Sequence, residues 1–328
     1  MKAAYYERTG PARDVLVVGD LPDPEPGPGE VRVRLRWSGV NPSDVKSRAG
    51  LRGGPLPFPR IVPHSDGAGV IDRIGDGVHR SRLNQRVWVW NAAWGRPNGT
   101  AAEYVVLPSR QAVALPDAVE LDAGACLGIP ALTALHAVQA HGGVLGRSVL
   151  VAGGAGAVGH YALQFARLLG ARQVLTTVSG AEKAEIARQA GADVAIDYRT
   201  EDLVARVRWL TQGLGVDRVI EVDIAANGAL DAELLKAGGE AVVYGSGARE
   251  FALPFFPLIL RNLTLHFFIV YSLSDGDRER AEAILNGLLD AGQLQHNIGA
   301  RRTLTEIAQA HEDVESGRVI GNVVISVA

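Results

Sequence analysis

Cysteine is almost absent: of 328 residues only Cys126 carries a thiol. That excludes an intrachain disulfide and any multi-cysteine zinc cage. Lysine is also scarce, with Lys2, Lys46, Lys183 and Lys236 against 29 arginines, so a lysine in a chemically apt place stands out. A G+C-rich genome accounts for the bias itself. The net charge of −3 leaves no basic field for nucleic acid. No apolar run reaches the roughly 18 residues of a membrane span, and Phe251–Leu260 is short and holds two prolines. The first residues lack the apolar core of a secretory signal. A soluble, cytoplasmic enzyme is expected. What is present is ordinary for a globular chain: 47% hydrophobic and 21% charged residues. The length gives about two domains at the usual 150 or so residues each.

The first third reads as short strands punctuated by Gly and Pro. Val31–Trp37 alternates apolar and polar residues, and Val70–Gly75, Arg86–Trp90 and Ala102–Leu107 follow. Such spacing predicts a compact β-barrel-type domain. From residue 148 the pattern changes to strand then helix, repeatedly. The strands are Ser148–Ala152, Gln173–Val178, Val194–Tyr198, Val216–Val222 and Glu240–Gly245. The helices are Val158–Leu169, Ala181–Ala190 and Thr200–Thr211, the last with Thr200 as cap. This predicts an α/β fold with a doubly wound parallel sheet. Leu263–Tyr271 reads as an apolar strand completing that sheet, Asp277–Leu294 as an amphipathic helix, and Asn322–Val327 as a closing strand. The expected domains are 1–123 joined by 268–328, and 124–267.

Gly154-Ala155-Gly156-Ala157-Val158-Gly159 fits G-x-G-x-x-G after a buried strand and before a helix. In that context the glycines let the main chain approach a pyrophosphate, whose charge sits on the helix N-terminus. An NAD site places an acid at the tip of the next strand for the ribose 2′-hydroxyl. Here that tip reads Ser179-Gly180-Ala181-Glu182-Lys183. A hydroxyl, an open approach and a cation suit a 2′-phosphate, so NADP(H) is expected. Glu182 is expected one turn into the helix, facing away. Tyr198 is expected to close the same pocket; a partly buried aromatic is its plainer reading.

With these motifs the chain resembles the medium-chain dehydrogenase/reductases, and among them the zinc-free quinone oxidoreductases of the zeta-crystallin type. The resemblance is carried by Ser38-Gly39-Val40-Asn41-Pro42-Ser43-Asp44, Pro63-His64-Ser65-Asp66-Gly67-Ala68-Gly69-Val70, Gly99–Tyr104, Leu127–Ala134 and the glycine loop. It implies a Rossmann sheet plus a GroES-like catalytic domain. It further implies that Thr133 lies beside the nicotinamide and that Gly245 and Ser246 lie against the cofactor. Phe268 and Ile269 would meet the nicotinamide amide through their backbone, and Arg318 would stand near the 2′-phosphate. Zinc-dependent relatives place their ligands at positions matching Asn41, Ser65 and Ile129 here, none of which is a good zinc ligand. No metal is therefore expected, and His64, Asp66 and Cys126 are read as buried structural residues rather than a replacement site.

Without a Lewis acid, the expected acceptor is one that takes hydride unaided, a quinone or an α,β-unsaturated carbonyl. The catalytic candidates are Asn41, as hydrogen-bond donor, with Lys46 and Asp44. Asn41 reads equally as a turn residue before Pro42, and Lys46 as a surface lysine. Trp88 and Trp90 share a strand face and are candidates, with Ser65, for a flat substrate pocket; core packing is the alternative. NADPH-dependent quinone reduction is the first expectation, reduction of an enone or alkenal double bond the second. A non-catalytic NADPH-binding role, as a structural crystallin or in RNA binding, is the third. An exposed apolar strand at 263–271 predicts a homodimer.

Overall fold

The computed structural model describes residues 1–51 and 53–327. Packing divides the chain into two compact units, Met1–Pro130 with Glu282–Ala328, and Ala131–Ala281.

In the first unit the strand order is Ile298–Thr303, Asn322–Ser326, Glu30–Val40, Asp66–Ile74, Arg86–Val89 and Ala112–Ala114. Tyr104–Pro108 pairs separately with Glu30–Val40. All pairs are antiparallel except Ile298–Thr303 with Asn322–Ser326. Val31, Val33 and Leu35 point inward and are fully buried with Ile71, Val87, Val89 and Leu107. Arg32 breaks the expected alternation: it is buried because its guanidinium pairs with Asp72 at 2.8 Å and lies 4.5 Å over the Tyr104 ring. Lys2–Tyr5 and Val17–Asp20 form a separate antiparallel pair.

The second unit holds a six-stranded sheet with every neighbour parallel. The order is Val194–Asp197, Gln173–Val178, Ser148–Val151, Val216–Glu221, Leu235–Val243 and Thr264–Phe267. In chain sequence this is 3-2-1-4-5-6, the order of dinucleotide-binding folds, and direction reverses between Ser148–Val151 and Val216–Glu221. The central strand Ser148–Val151 is buried along its whole length, as a strand covered on both faces must be.

Several expected boundaries move. The units change over at 130/131 and 281/282, beyond the expected 123/124 and 267/268. On one side the Ile129 N–H donates to the Asp66 carboxylate at 3.0 Å, which keeps that segment with the first unit. On the other, the Arg278 guanidinium donates to the Val270 carbonyl at 2.5 Å, which keeps 268–281 with the second. The helix expected from Thr200 starts at Leu203, because Asp202 accepts the Ala205 N–H at 3.0 Å and caps it. The expected strand 263–271 spans only Thr264–Phe267 before the chain turns at Val270–Ser272. Leu132–Gln139 and Ile224–Leu234 are helices with no clear sequence signature. The first ends against Arg218, a fully buried strand residue whose guanidinium donates to the carbonyls of Ala137, Val138 and Ala140 and pairs with Glu240 at 2.7 Å.

Candidate cofactor and substrate sites

The glycine loop leaves Ser148–Val151 at the sheet's carboxyl edge and is tied to the next strand by two hydroxyls. Thr177 Oγ1 accepts the Gly153 N–H and Thr176 Oγ1 the Gly154 N–H, each at 3.0 Å. Thr176 also donates to the Val151 carbonyl at 2.7 Å, so one side chain staples both ends of the turn. A Cβ at Gly154 would collide with that hydroxyl, and one at Gly159 with the Gly153 carbonyl. Gly156 differs: the nearest atom to a Cβ there is the Gly153 oxygen at 3.2 Å. It stands at the N-cap of the 12-residue helix Ala157–Leu168. Ala157 and Val158 open that helix, and Ala155 is buried behind the loop. The first-turn N–H groups and the helix dipole thus follow directly on the glycine loop, an arrangement that fits a pyrophosphate.

At the next strand end, Lys183 Nζ donates to Ser179 Oγ at 3.1 Å. Gly180, at φ 144°, opens the helix Ala181–Gln189. Tyr198 follows Val194–Asp197, its N–H on the Val178 carbonyl at 3.2 Å and its side chain 54% exposed. Glu182 is exposed on the helix while Lys183 is half-buried. The donors therefore gather where an NAD site carries its acid.

The other strand ends join the same edge. A Cβ at Gly245 would strike the Val222 carbonyl. Ser246 donates to the Ala248 carbonyl at 2.7 Å. Phe268 packs tilted on His136, ring centroids 4.6 Å apart, and Ile269 is exposed. Thr133 is buried in Leu132–Gln139. Arg318 is exposed after the helix Ile307–Ser316 and belongs to the first unit, not to the one holding Ser179 and Lys183.

Two acids at this edge escaped the sequence reading. Glu221 ends its strand and Asp231 lies on Ile224–Leu234, both buried and each shifting the other's ionisation. Burial pushes both carboxyls up, and Asp231, facing the Glu221 charge, is held protonated up to about 9. Glu221 Oε1 accepts from Asn227 Nδ2 at 2.9 Å and from the Asp223 N–H. Burial and the same Glu221 charge push the Tyr244 hydroxyl far up. A signal existed in the acid at a strand's carboxyl end, but its partner is ten residues on in a helix of weak periodicity.

In the first unit Asn41 precedes the helix Pro42–Arg48 and is buried. Its Nδ2 donates to Asp66 Oδ2 at 2.9 Å, and the same oxygen accepts the Ile129 N–H. Asp44 accepts the Asn41 N–H at 2.9 Å and so caps that helix. Lys46 is half-buried on the same helix. Ser65 is buried and its carbonyl accepts the Ala92 N–H at 3.1 Å. Trp88 is fully buried and donates Nε1–H to Asn286 at 3.2 Å; Trp90 is buried too. Both are buried, as core residues are. Cys126 is buried, its thiol pushed well up by burial and by Asp66 and Asp122. Among the described residues, no three His, Cys, Asp or Glu side chains converge as a metal site.

The chain matches the family described as Alcohol dehydrogenase GroES-like domain over residues 27–117 and that described as Zinc-binding dehydrogenase over 157–286. It is 30% identical to human quinone oxidoreductase across 85% of this chain and 83% of that one. A crystal structure of an NAD-dependent alcohol dehydrogenase superposes with TM-score 0.91 at 31% identity, covering 100% of both chains. A mycobacterial protein solved with NADPH superposes with TM-score 0.88 at 29% identity, covering 99% of this chain and 100% of that one. The chain belongs to the medium-chain dehydrogenase/reductase superfamily, in its quinone oxidoreductase, zeta-crystallin-like group.

Proposed function

We propose that this oxidoreductase reduces quinones with NADPH and without zinc. The observation that carries the cofactor reading is the Lys183–Ser179 pair at the tip where NAD sites hold an acid, one strand along from the glycine loop. NADPH, when bound, supplies hydride from nicotinamide C4. The chain's own residues bind and orient. The glycine loop and first helical turn take the pyrophosphate, and Ser179, Lys183 and Tyr198 take the 2′-phosphate. Thr133, Gly245, Ser246, Phe268 and Ile269 border the nicotinamide.

Zinc independence is supported by donor chemistry. At the family's ligand positions stand an amide, a hydroxyl and an isoleucine, and the Asn41 amide and Ile129 N–H are bonded directly to Asp66. Asn41 offers a donor to the acceptor's oxygen as charge develops there. Lys46 is the second candidate for that role. Pairing of two copies through the edge strand Thr264–Phe267 is supported by exposed Phe255, Phe256, Phe267 and Ile269 around it. The single, buried thiol suits the cytoplasm.

The test is NADPH and NADH consumption against a panel of quinones and alkenals, with and without chelator. NADPH-linked quinone turnover that survives chelation is expected. Alkenal turnover without quinone turnover would move the assignment to double-bond reduction, and a clear NADH preference would overturn the cofactor. Loss on chelation with recovery on added zinc would overturn zinc independence.

A further inference from the structure

Four fully buried side chains of the first unit form one hydrogen-bonded chain. Thr100 Oγ1 lies 2.5 Å from the main-chain oxygen of Asp66, and Ser38 Oγ 2.7 Å from Thr100 Oγ1. His64 Nδ1 lies 2.9 Å from Ser38 Oγ, and His311 Nε2 2.9 Å from His64 Nε2. The two imidazoles stack with centroids 5.1 Å apart.

The position of every proton follows from one end. A carbonyl oxygen only accepts, so the Thr100 hydroxyl donates to Asp66 and its one proton is used. Ser38 must then donate to Thr100 and accept from His64, which places the His64 proton on Nδ1. Burial pushes His64 down to about 3, so the ring is neutral and its Nε2 is a lone pair. His311 must donate to that lone pair from Nε2. Burial, with His64 and Arg48 nearby, keeps His311 neutral as well, leaving its lone pair on buried Nδ1, which meets no protein donor. All four protons point toward Asp66. A chain ending on an amide carbonyl has no acceptor to pass a proton to, so its use is orientation.

Asp66 is the residue oriented. It begins the strand Asp66–Ile74 two residues after His64, which sits at φ 75° with its own carbonyl on the Thr100 N–H at 2.9 Å. A Cβ at Gly128 would run into the Asp66 carboxylate, and one at Gly39 would lie 3.1 Å from the Asp66 Cβ. Within that tight fit the carboxylate holds the Asn41 amide.

We infer that His64 and His311 are positioning residues for the Asn41–Asp66 pair, linked to it through Ser38 and Thr100. The functional consequence rests on the proposed role of Asn41 as donor to the acceptor.

The experiment combines nitrogen NMR of histidine- and asparagine-labelled protein with kinetics. His64 is expected as the neutral Nδ1–H tautomer and His311 as the neutral Nε2–H tautomer throughout pH 6 to 8. A charged ring, or His64 protonated on Nε2, would overturn the proton order. His311→Leu removes the terminal donor, while His311→Gln keeps an N–H at nearly the same place. The Leu variant should shift the Asn41 side-chain amide signal and lower quinone kcat about tenfold at unchanged KM for NADPH, and the Gln variant should restore both. Thr100→Val should behave like the Leu variant, and His64→Asn, which tolerates the left-handed backbone and keeps the donor to Ser38, should be milder. Folded His311→Leu with an unmoved Asn41 signal and parental kcat would overturn positioning. A parent protein that reduces no quinone would defeat the functional reading instead; the Asn41 signal, shifted or not, would still decide the inference.

Discussion

Lys183 is one of four lysines, and its ammonium meets Ser179 at the strand tip proposed to receive the 2′-phosphate. A charge-assisted hydrogen bond contributes about 1.5–3 kcal/mol. Lys183→Ala is therefore expected to lower kcat/KM for NADPH about tenfold to a hundredfold and leave NADH nearly unchanged. Equal losses with both coenzymes would remove the residue from the 2′-phosphate site. Asp231 makes a different kind of statement. Its folded carboxyl is raised from 3.8 to about 9, so the native state keeps a proton that the unfolded chain releases. The stability this lends is complete below about pH 4 and is lost as pH rises toward 9. Asp231→Asn keeps a donor toward Glu221 at every pH. Urea unfolding at pH 5, 7 and 9 should show the variant gaining on the parent as pH rises; a difference independent of pH would show that the pair is not sharing a proton. Residue identities here were in plain view, yet only the serine, lysine and glycines announced themselves. The acids did not, because one lies at a strand end and the other on a helix, and burial in the folded state is what alters their chemistry.

Elements carry the next level. The glycine loop, its strand and its helix were legible from the G-x-G-x-x-G spacing, because at Gly154 and Gly159 a side chain would collide with the fold. At Gly159 an added Cβ meets the Gly153 carbonyl, so Gly159→Ala should force the helix off the loop. It is expected to cost about 1–3 kcal/mol of stability and to weaken NADPH binding severely, read by thermal melts with and without coenzyme. Unchanged binding would mean that the loop does not hold the pyrophosphate. Arg218 shows what periodicity misses. A charged residue in the strand Val216–Glu221 looks like a solvent position, but it turns inward to take the last carbonyls of Leu132–Gln139 with Glu240 as counter-ion. Arg218→Met should cost about 1–3 kcal/mol in denaturant unfolding, since three carbonyls lose their donor inside the fold while Glu240 keeps Arg147 and His141. The tryptophans illustrate the reverse: Val87, Trp88, Val89 and Trp90 are all buried, so alternation there does not separate an inner face from an outer one.

For the whole molecule, the six-stranded order leaves Thr264–Phe267 as a free edge beside exposed Phe255, Phe256 and Phe267. An apolar edge of this kind is a pairing surface or an aggregation hazard. Sedimentation is expected to give a dimer, and Phe256→Lys with Phe267→Lys to shift it toward monomer without loss of secondary structure. A monomeric parent would remove the dimer claim.

Local patterns were enough for the class of fold and the choice of coenzyme, since strand alternation, glycine spacing and side-chain chemistry act over a few residues. Folding was needed to bring His64 to His311, Asn41 to Asp66 and Ile129, Glu221 to Asp231, and Arg218 to the end of a helix some 80 residues earlier. Those contacts join positions from ten to 247 residues apart, and their energetics depend on exclusion of water, a property that no short stretch of sequence possesses before the core closes around it.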